Sequence, residues 1–272
     1  MNIEPTFINL IPLYIGNGCI LFFFVLHCTI FQHGHKNEAL RQTEQDTLFL
    51  TVRVKEFWFW ITDPIFKFFI WFKISPNTIT TFGLFLSMMA AYCFSRGWIA
   101  TGGYFVVFAG SMDFFDGRVA RYLKLESKSG AFWDAVLDRI SEGCVFLGLM
   151  VMYKNHWMFY VTFLAFLTAV LVSYIKARGE VLGINVKIGI MQRPERIAYI
   201  GAPSMLWPMI FPFVHPWLPS IPYHAGTTFG LCLILILGIH TAYIRFTKVY
   251  EELRNPIVTD MNVNDAVSQK LQ

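Results

Sequence analysis

Uninterrupted apolar runs constrain this chain more than any other feature. Residues 6–32, 78–95, 98–117, 131–153, 156–175, 195–214 and 226–247 are each close to the length of a membrane-spanning helix, which needs about 20 mostly apolar residues. In lipid every backbone polar group must bond within its own segment, so such runs fold as helices. The expected fold is therefore an all-α polytopic membrane protein. Composition agrees: 55% of residues are hydrophobic and only 15% are charged, against about 25% charged in soluble domains.

The first run stands apart. Residues 6–32 carry no formal charge but contain Pro12, Gly16 and Gly18, which suit a spanning or re-entrant anchor or a helix lying on the surface. No small-residue cleavage site follows, so a removed signal peptide is not expected. A polar linker comes next, with the sequence HGHKNEALRQTEQDT. Residues 48–75 then mix aromatics with Arg53, Lys55, Lys67 and Lys73, a pattern suited to an amphipathic helix in the headgroup zone. Pro64 is expected to break it in two. The organisation expected is an anchor and linker (1–47), an interfacial segment (48–75), a core domain (76–250) and a polar tail (251–272). The five cysteines all lie in apolar runs without metal-ligand spacing, and read as buried free thiols.

Charge placement orients the chain. If residues 111–130 lie on the cytoplasmic side, sixteen Lys and Arg from 52–73, 118–128, 176–196 and 245–254 share that face. The opposite loops carry only Arg96 and Lys154. This asymmetry is the positive-inside pattern, and it places the site below at the cytoplasmic surface; the expected location is the cytoplasmic (inner) membrane.

That site is the stretch SMDFFDGRVARYLKLESKSGAFWDAVLDRISEG, residues 111–143. Asp113 and Asp116 are three apart, and Asp134 and Asp138 four apart, so each pair shares one helix face. Four carboxylates crowded in an apolar setting repel one another unless a cation holds them. Oxygen ligands without a nearby His or Cys point to Mg²⁺ or Mn²⁺, with substrate phosphate completing the shell. Two such ions would serve phosphoryl chemistry. Gly117 would let a nucleotide approach the backbone, and Arg121 can grip a phosphate with two donors. Gly130 is expected to bend the chain into the second helix.

The spacing D-x2-D-G-x2-A-R-x8-G-x3-D-x3-D resembles the signature of the CDP-alcohol phosphatidyltransferase family at every position. The resemblance implies six transmembrane helices, a homodimer, a polar cavity open to the cytoplasm and no nucleic-acid partner. It also implies a reaction: a phosphatidyl group passes from CDP-diacylglycerol to an alcohol, releasing CMP. Carried over by position, Asp113, Asp116, Asp134 and Asp138 would bind two divalent cations, Mg²⁺ or Mn²⁺, with Asp138 also the general base. Gly117, Arg121 and Ser127 would contact the nucleotide and pyrophosphate. The segment PNTIT fits a further nucleotide-contacting pattern and adds Asn77 and Thr80.

The motif does not select the acceptor. SYIKAR (173–178), RPER (193–196) and DRISEG (138–143) resemble the bacterial phosphatidylinositol-phosphate synthases. That likeness implies a phosphorylated polyol, inositol phosphate, held through its phosphate by Lys176, Arg196 and Arg245, with Arg193 beside them. Cations so placed would aim a ring hydroxyl at the diphosphate. Glycerol-3-phosphate also presents a phosphate and is the alternative acceptor. A cation transporter lined by the carboxylates is the remote alternative.

Overall fold

The computed structural model describes residues 14–19, 22, 23, 25, 26 and 52–254. The linker at 33–47, with its HGH sequence, and the tail from 255 onward lie outside the described residues. No strand occurs among the described residues. Seven long helices follow one another there: α1 (Val52–Trp71), α2 (Pro76–Ser95), α3 (Ile99–Leu123), α4 (Lys128–Met152), α5 (Met158–Val181), α6 (Arg193–Val214) and α7 (Ala225–Arg254). The described residues before position 27 are helical too.

Helices α2, α5, α6 and α7 are long and apolar enough to cross a membrane. At 25 residues each, α3 and α4 are as long. At 1.5 Å per residue that is about 37 Å, but each carries two of the aspartates and two basic residues. Several helices also run past the apolar stretches that announced them. The apolar run measures hydrocarbon thickness, whereas the helix continues into charged residues that still satisfy its hydrogen bonds.

Two sequence expectations are corrected. Helix α1 runs unbroken through Pro64. Proline removes one donor, the one that Trp60 would have used, and its fixed φ is itself helical. Gly130 does not bend the chain either, because it lies inside the first turn of α4. The reversal is made by Lys124, whose φ of 54° caps α3 in the left-handed conformation, and by Ser127, whose hydroxyl accepts from the Gly130 amide at 3.0 Å. Glycine is the residue usually found in that conformation, so a lysine there leaves no sequence signal. The cysteine expectation holds for Cys93, which is buried; Cys144 and Cys232 are half-buried and Cys19 is exposed, all of them free thiols.

The packing brings α2 against α3 and α4, α3 against α6, and α7 against α5 and α6. Glycines permit two of these approaches. A Cβ on Gly148 of α4 would collide with the Ala91 backbone of α2, and one on Gly230 of α7 with the Tyr199 carbonyl of α6. Tyr199 is four residues before Pro203, which carries no N–H, and α7 closes over its carbonyl. The main core joins Phe94, Phe146, Leu149, Met158, Leu231 and Ile234. A second cluster ties α1 to α2 and α3 through Phe66, Ile79, Phe115 and Val119.

Links of three and five residues make α2/α3 and α4/α5 antiparallel pairs. The starts of α2, α4 and α6 consequently meet the end of α3 at one end of the bundle, where the aspartates sit. Helix α1 is fastened to that end. Arg118 of α3 donates to Asp63 at 2.6 Å and stacks on the Phe66 ring at 3.9 Å, and Lys67 pairs with Asp63 at 2.8 Å. Burial alone would raise the Asp63 carboxyl, but its bonds to Lys67 and Arg118 outweigh that and hold it below its ordinary value.

Candidate active site

Helix periodicity sets the aspartates. On α3, Asp113 and Asp116 point to one side near the C-terminal end; on α4, Asp134 and Asp138 do so within the first three turns. The four meet across the α3–α4 reversal. One carboxylate oxygen each from Asp113, Asp116 and Asp134 lie within 4.8 Å of one another. Asp116 and Asp138 are buried, and Asp113 and Asp134 are half-buried. Thr80 of α2 donates its hydroxyl to Asp116 Oδ2 at 2.5 Å, which fixes that carboxylate from a third helix.

The donor set fits a hard divalent cation. The cluster contains carboxylates only, the ligand type of Mg²⁺ and Mn²⁺. Asp134 Oδ1 is buried and has no hydrogen-bond partner among the described residues. A buried carboxylate oxygen left so is costly, and a cation would satisfy it.

A cleft of about 590 Å³, counted with its open mouth, begins at this cluster. Thr80, Gly83 and Ser87 line it from α2, and Asp113 and Gly110 from α3. Its α4 wall carries Asp138, Ser141 and Glu142, and its α6 wall Arg193 and Arg196. Apolar residues, Val106, Phe146 and Ile200 among them, complete it.

The basic residues expected from sequence are divided by the structure. Arg193 joins the aspartates: its Nη1 lies 2.8 Å from Asp113 Oδ2 and 2.6 Å from Asp138 Oδ1. Arg196 sits one turn further along α6, buried, and clasps Glu142 with two donors at 2.5 and 3.2 Å. Arg245 is buried and donates to the Ile188 and Val172 carbonyls at 2.7 and 2.9 Å, which pins the α5–α6 link to α7. Lys176 lies 3.9 Å from Glu180 at the half-exposed end of α5. Only Arg193 and Arg196 of these four line the cleft.

Of the nucleotide candidates Asn77, Thr80, Gly117, Arg121 and Ser127, Thr80 lines the cleft. A Cβ on Gly117 would meet only the Arg121 guanidinium, at 3.4 Å, so its backbone is open. Ser127 and Asn77 stand at the starts of α4 and α2, and a Cβ on Gly130 would meet both, at 3.0 and 3.6 Å. Sequence reasoning did not single out Glu142. Its signal was available, since it follows Asp138 by four residues and so shares its helix face.

The chain is similar to known proteins over much of its length. The family model for CDP-alcohol phosphatidyltransferase matches residues 73–239. The chain is 31% identical over 195 residues to the phosphatidylinositol phosphate synthase of Mycobacterium tuberculosis, spanning 70% of this chain and 86% of that one. It is 30% identical over 181 residues to the archaetidylinositol phosphate synthase of Methanothermobacter thermautotrophicus, spanning 66% and 86%. Two crystal structures of the M. tuberculosis phosphatidylinositol phosphate synthase, at 28% identity, superpose with a TM-score of 0.59 over 70% of this chain. One has CDP-DAG bound and covers 94% of that chain; the other is a complex with manganese and citrate and covers 88%.

Proposed function

This chain belongs to the CDP-alcohol phosphatidyltransferase family, and from that premise we infer that it moves a phosphatidyl group from CDP-diacylglycerol to a hydroxyl of inositol phosphate, releasing CMP. The observation that carries the reading is the meeting of four carboxylates from α3 and α4 at the mouth of a cleft lined by two arginines. Its relatives named for inositol phosphate products support this acceptor. Glycerol-3-phosphate is the competing acceptor, since the same arginines suit its phosphate.

Asp113, Asp116, Asp134 and Asp138 would hold two divalent cations, which when bound neutralise the diphosphate. The nucleotide head lies over Gly117, with Arg121 gripping phosphate and Asn77, Thr80 and Ser127 around it. The acceptor's phosphate is drawn by Arg193 and Arg196, with Lys176 and Arg245 framing the same end. Asp138 takes the proton from the acceptor hydroxyl, and that oxygen forms a bond to the β-phosphorus. The bond from this phosphorus to the CMP oxygen breaks, and CMP leaves with the electron pair, its charge answered by Arg121.

The same reading makes α2 to α7 six spans in the cytoplasmic (inner) membrane, with the site facing the cytoplasm. Helix α1 lies at that interface, an additional hydrophobic helix precedes it, and the working unit is a homodimer. A direct test is to incubate purified protein with CDP-diacylglycerol, Mn²⁺ or Mg²⁺ and each acceptor in turn, measuring CMP release. Release with inositol phosphate is expected. Release with glycerol-3-phosphate alone would replace the acceptor, and no release with any would remove the enzymatic reading.

A further inference from the structure

Arg193 holds two of the four carboxylates of the site. One guanidinium nitrogen bridges Asp113 and Asp138 at 2.8 and 2.6 Å, and the side chain is only 19% exposed. Among the described residues no other cation is placed to take over this task. Arg196 is committed to Glu142 and to the Met191 carbonyl. Arg139 stands 3.7 Å from Asp138 and is 45% exposed, a loose pair worth little.

The backbone around Arg193 is fixed while its side chain is long. Just before it, the Met191 amide donates to Thr241 of α7 at 3.0 Å. Gly189, at φ +99°, packs where a Cβ would strike Thr241. Arg193 is the first residue of α6. Any change at this position is therefore a swing of the side chain, not a shift of the helix.

We propose that Arg193 is an internal counter-cation that occupies Asp113 and Asp138 when no metal is bound, and that metal loading releases it toward the acceptor's phosphate. The inference rests on the metal-dependent reading above. Its physical basis is competition. A dication and a guanidinium that draw on the same carboxylate oxygens repel each other at close range. An anion lying between them relieves that repulsion. Metal and phosphate therefore favour one another, and the coupling is reciprocal.

The test measures Mn²⁺ affinity of the detergent-solubilised full chain from the paramagnetic resonance signal of free Mn²⁺. It is run with and without sulfate, a tetrahedral dianion that binds free Mn²⁺ weakly. Arg193→Gln is expected to bind Mn²⁺ about tenfold tighter than the wild type when sulfate is absent. Sulfate is expected to tighten Mn²⁺ binding about fivefold in the wild type and not in Arg193→Gln. Arg193→Lys, which keeps the charge without the planar fork, should fall between them, and it carries the test if the Gln variant does not fold. Metal-free Arg193→Gln should melt below the wild type, with Mn²⁺ raising its melting temperature by more. Equal or weaker Mn²⁺ affinity in Arg193→Gln, or an undiminished sulfate effect, overturns the inference alone. No Mn²⁺ binding by either protein overturns the metal reading with it.

Discussion

The two ends of the helical bundle are built from different materials. At the end where α3 meets α4, charges are gathered inside the protein: five acids and two arginines face one cleft or its mouth. At the other end, neutral groups meet. Tyr153 bonds Thr228 at 3.0 Å, its ring lies against His156 and His224, and glycine contacts close the helices between the two ends. Burying charge needs compensation at every atom, and the first end supplies it with Thr80, Arg193 and the Glu142–Arg196 pair. Asp134 Oδ1 has no hydrogen-bond partner among the described residues. The rest of the bundle uses shape instead. The difference teaches that the charged end carries chemistry and the uncharged remainder carries packing.

Breaking the charged end should cost activity before stability. Asp134→Asn is expected to lower CMP release at least about 1,000-fold, while its melting temperature without metal stays equal or rises, because one crowded negative charge is gone. A large loss of melting temperature would show that Asp134 belongs to the packing. Glu142→Ala sharpens the contrast from within that end. It strands Arg196 in the interior and should destabilise by about 3 kcal/mol or more, read as a loss of melting temperature. The apolar region should respond differently. Gly148→Val forces α4 off the Ala91 backbone and is expected to cost about 2–3 kcal/mol, with the Mn²⁺ affinity of the surviving folded fraction unchanged. Asp63→Asn releases α1 from Arg118 at a half-exposed pair, which should cost about 0.5–1 kcal/mol.

The smallest effect concerns pH at the uncharged end. Burial, with His156 adding to it, holds the His224 imidazole below its ordinary value of 6.5. The unfolded chain then binds a proton that the folded protein resists. Above pH 6.5 the ring is neutral in both states and nothing changes. As pH falls through 6.5 the fold loses stability, and the loss levels off below the depressed folded value. Melting temperatures taken from pH 7.5 to 5.5 should show this decline, and His224→Asn should flatten it.

Much of this was legible in the chain itself. Apolar runs of spanning length can only become helices in lipid, so the all-α character followed from composition and length. Aspartates three and four apart on helices must share a face, so the metal cluster followed from periodicity. What periodicity along one helix cannot express is contact between helices. Thr80 and Asp116 are 36 residues apart and Arg196 and Glu142 are 54 apart; only packing decides that they meet. The same holds for Arg193. Its sequence neighbourhood pointed to a substrate phosphate, and the tertiary structure sets it against Asp113 and Asp138. Pro64 and Lys124 complete the division. Local propensity expected a break at the first and gave no signal of a turn at the second, and the packing of α1 and the joining of α3 to α4 outweigh the preference of a single residue. The sequence by itself determined the helices and the chemistry they carry. Tertiary structure alone decided which charges neutralise one another, because that depends on distances no single helix contains.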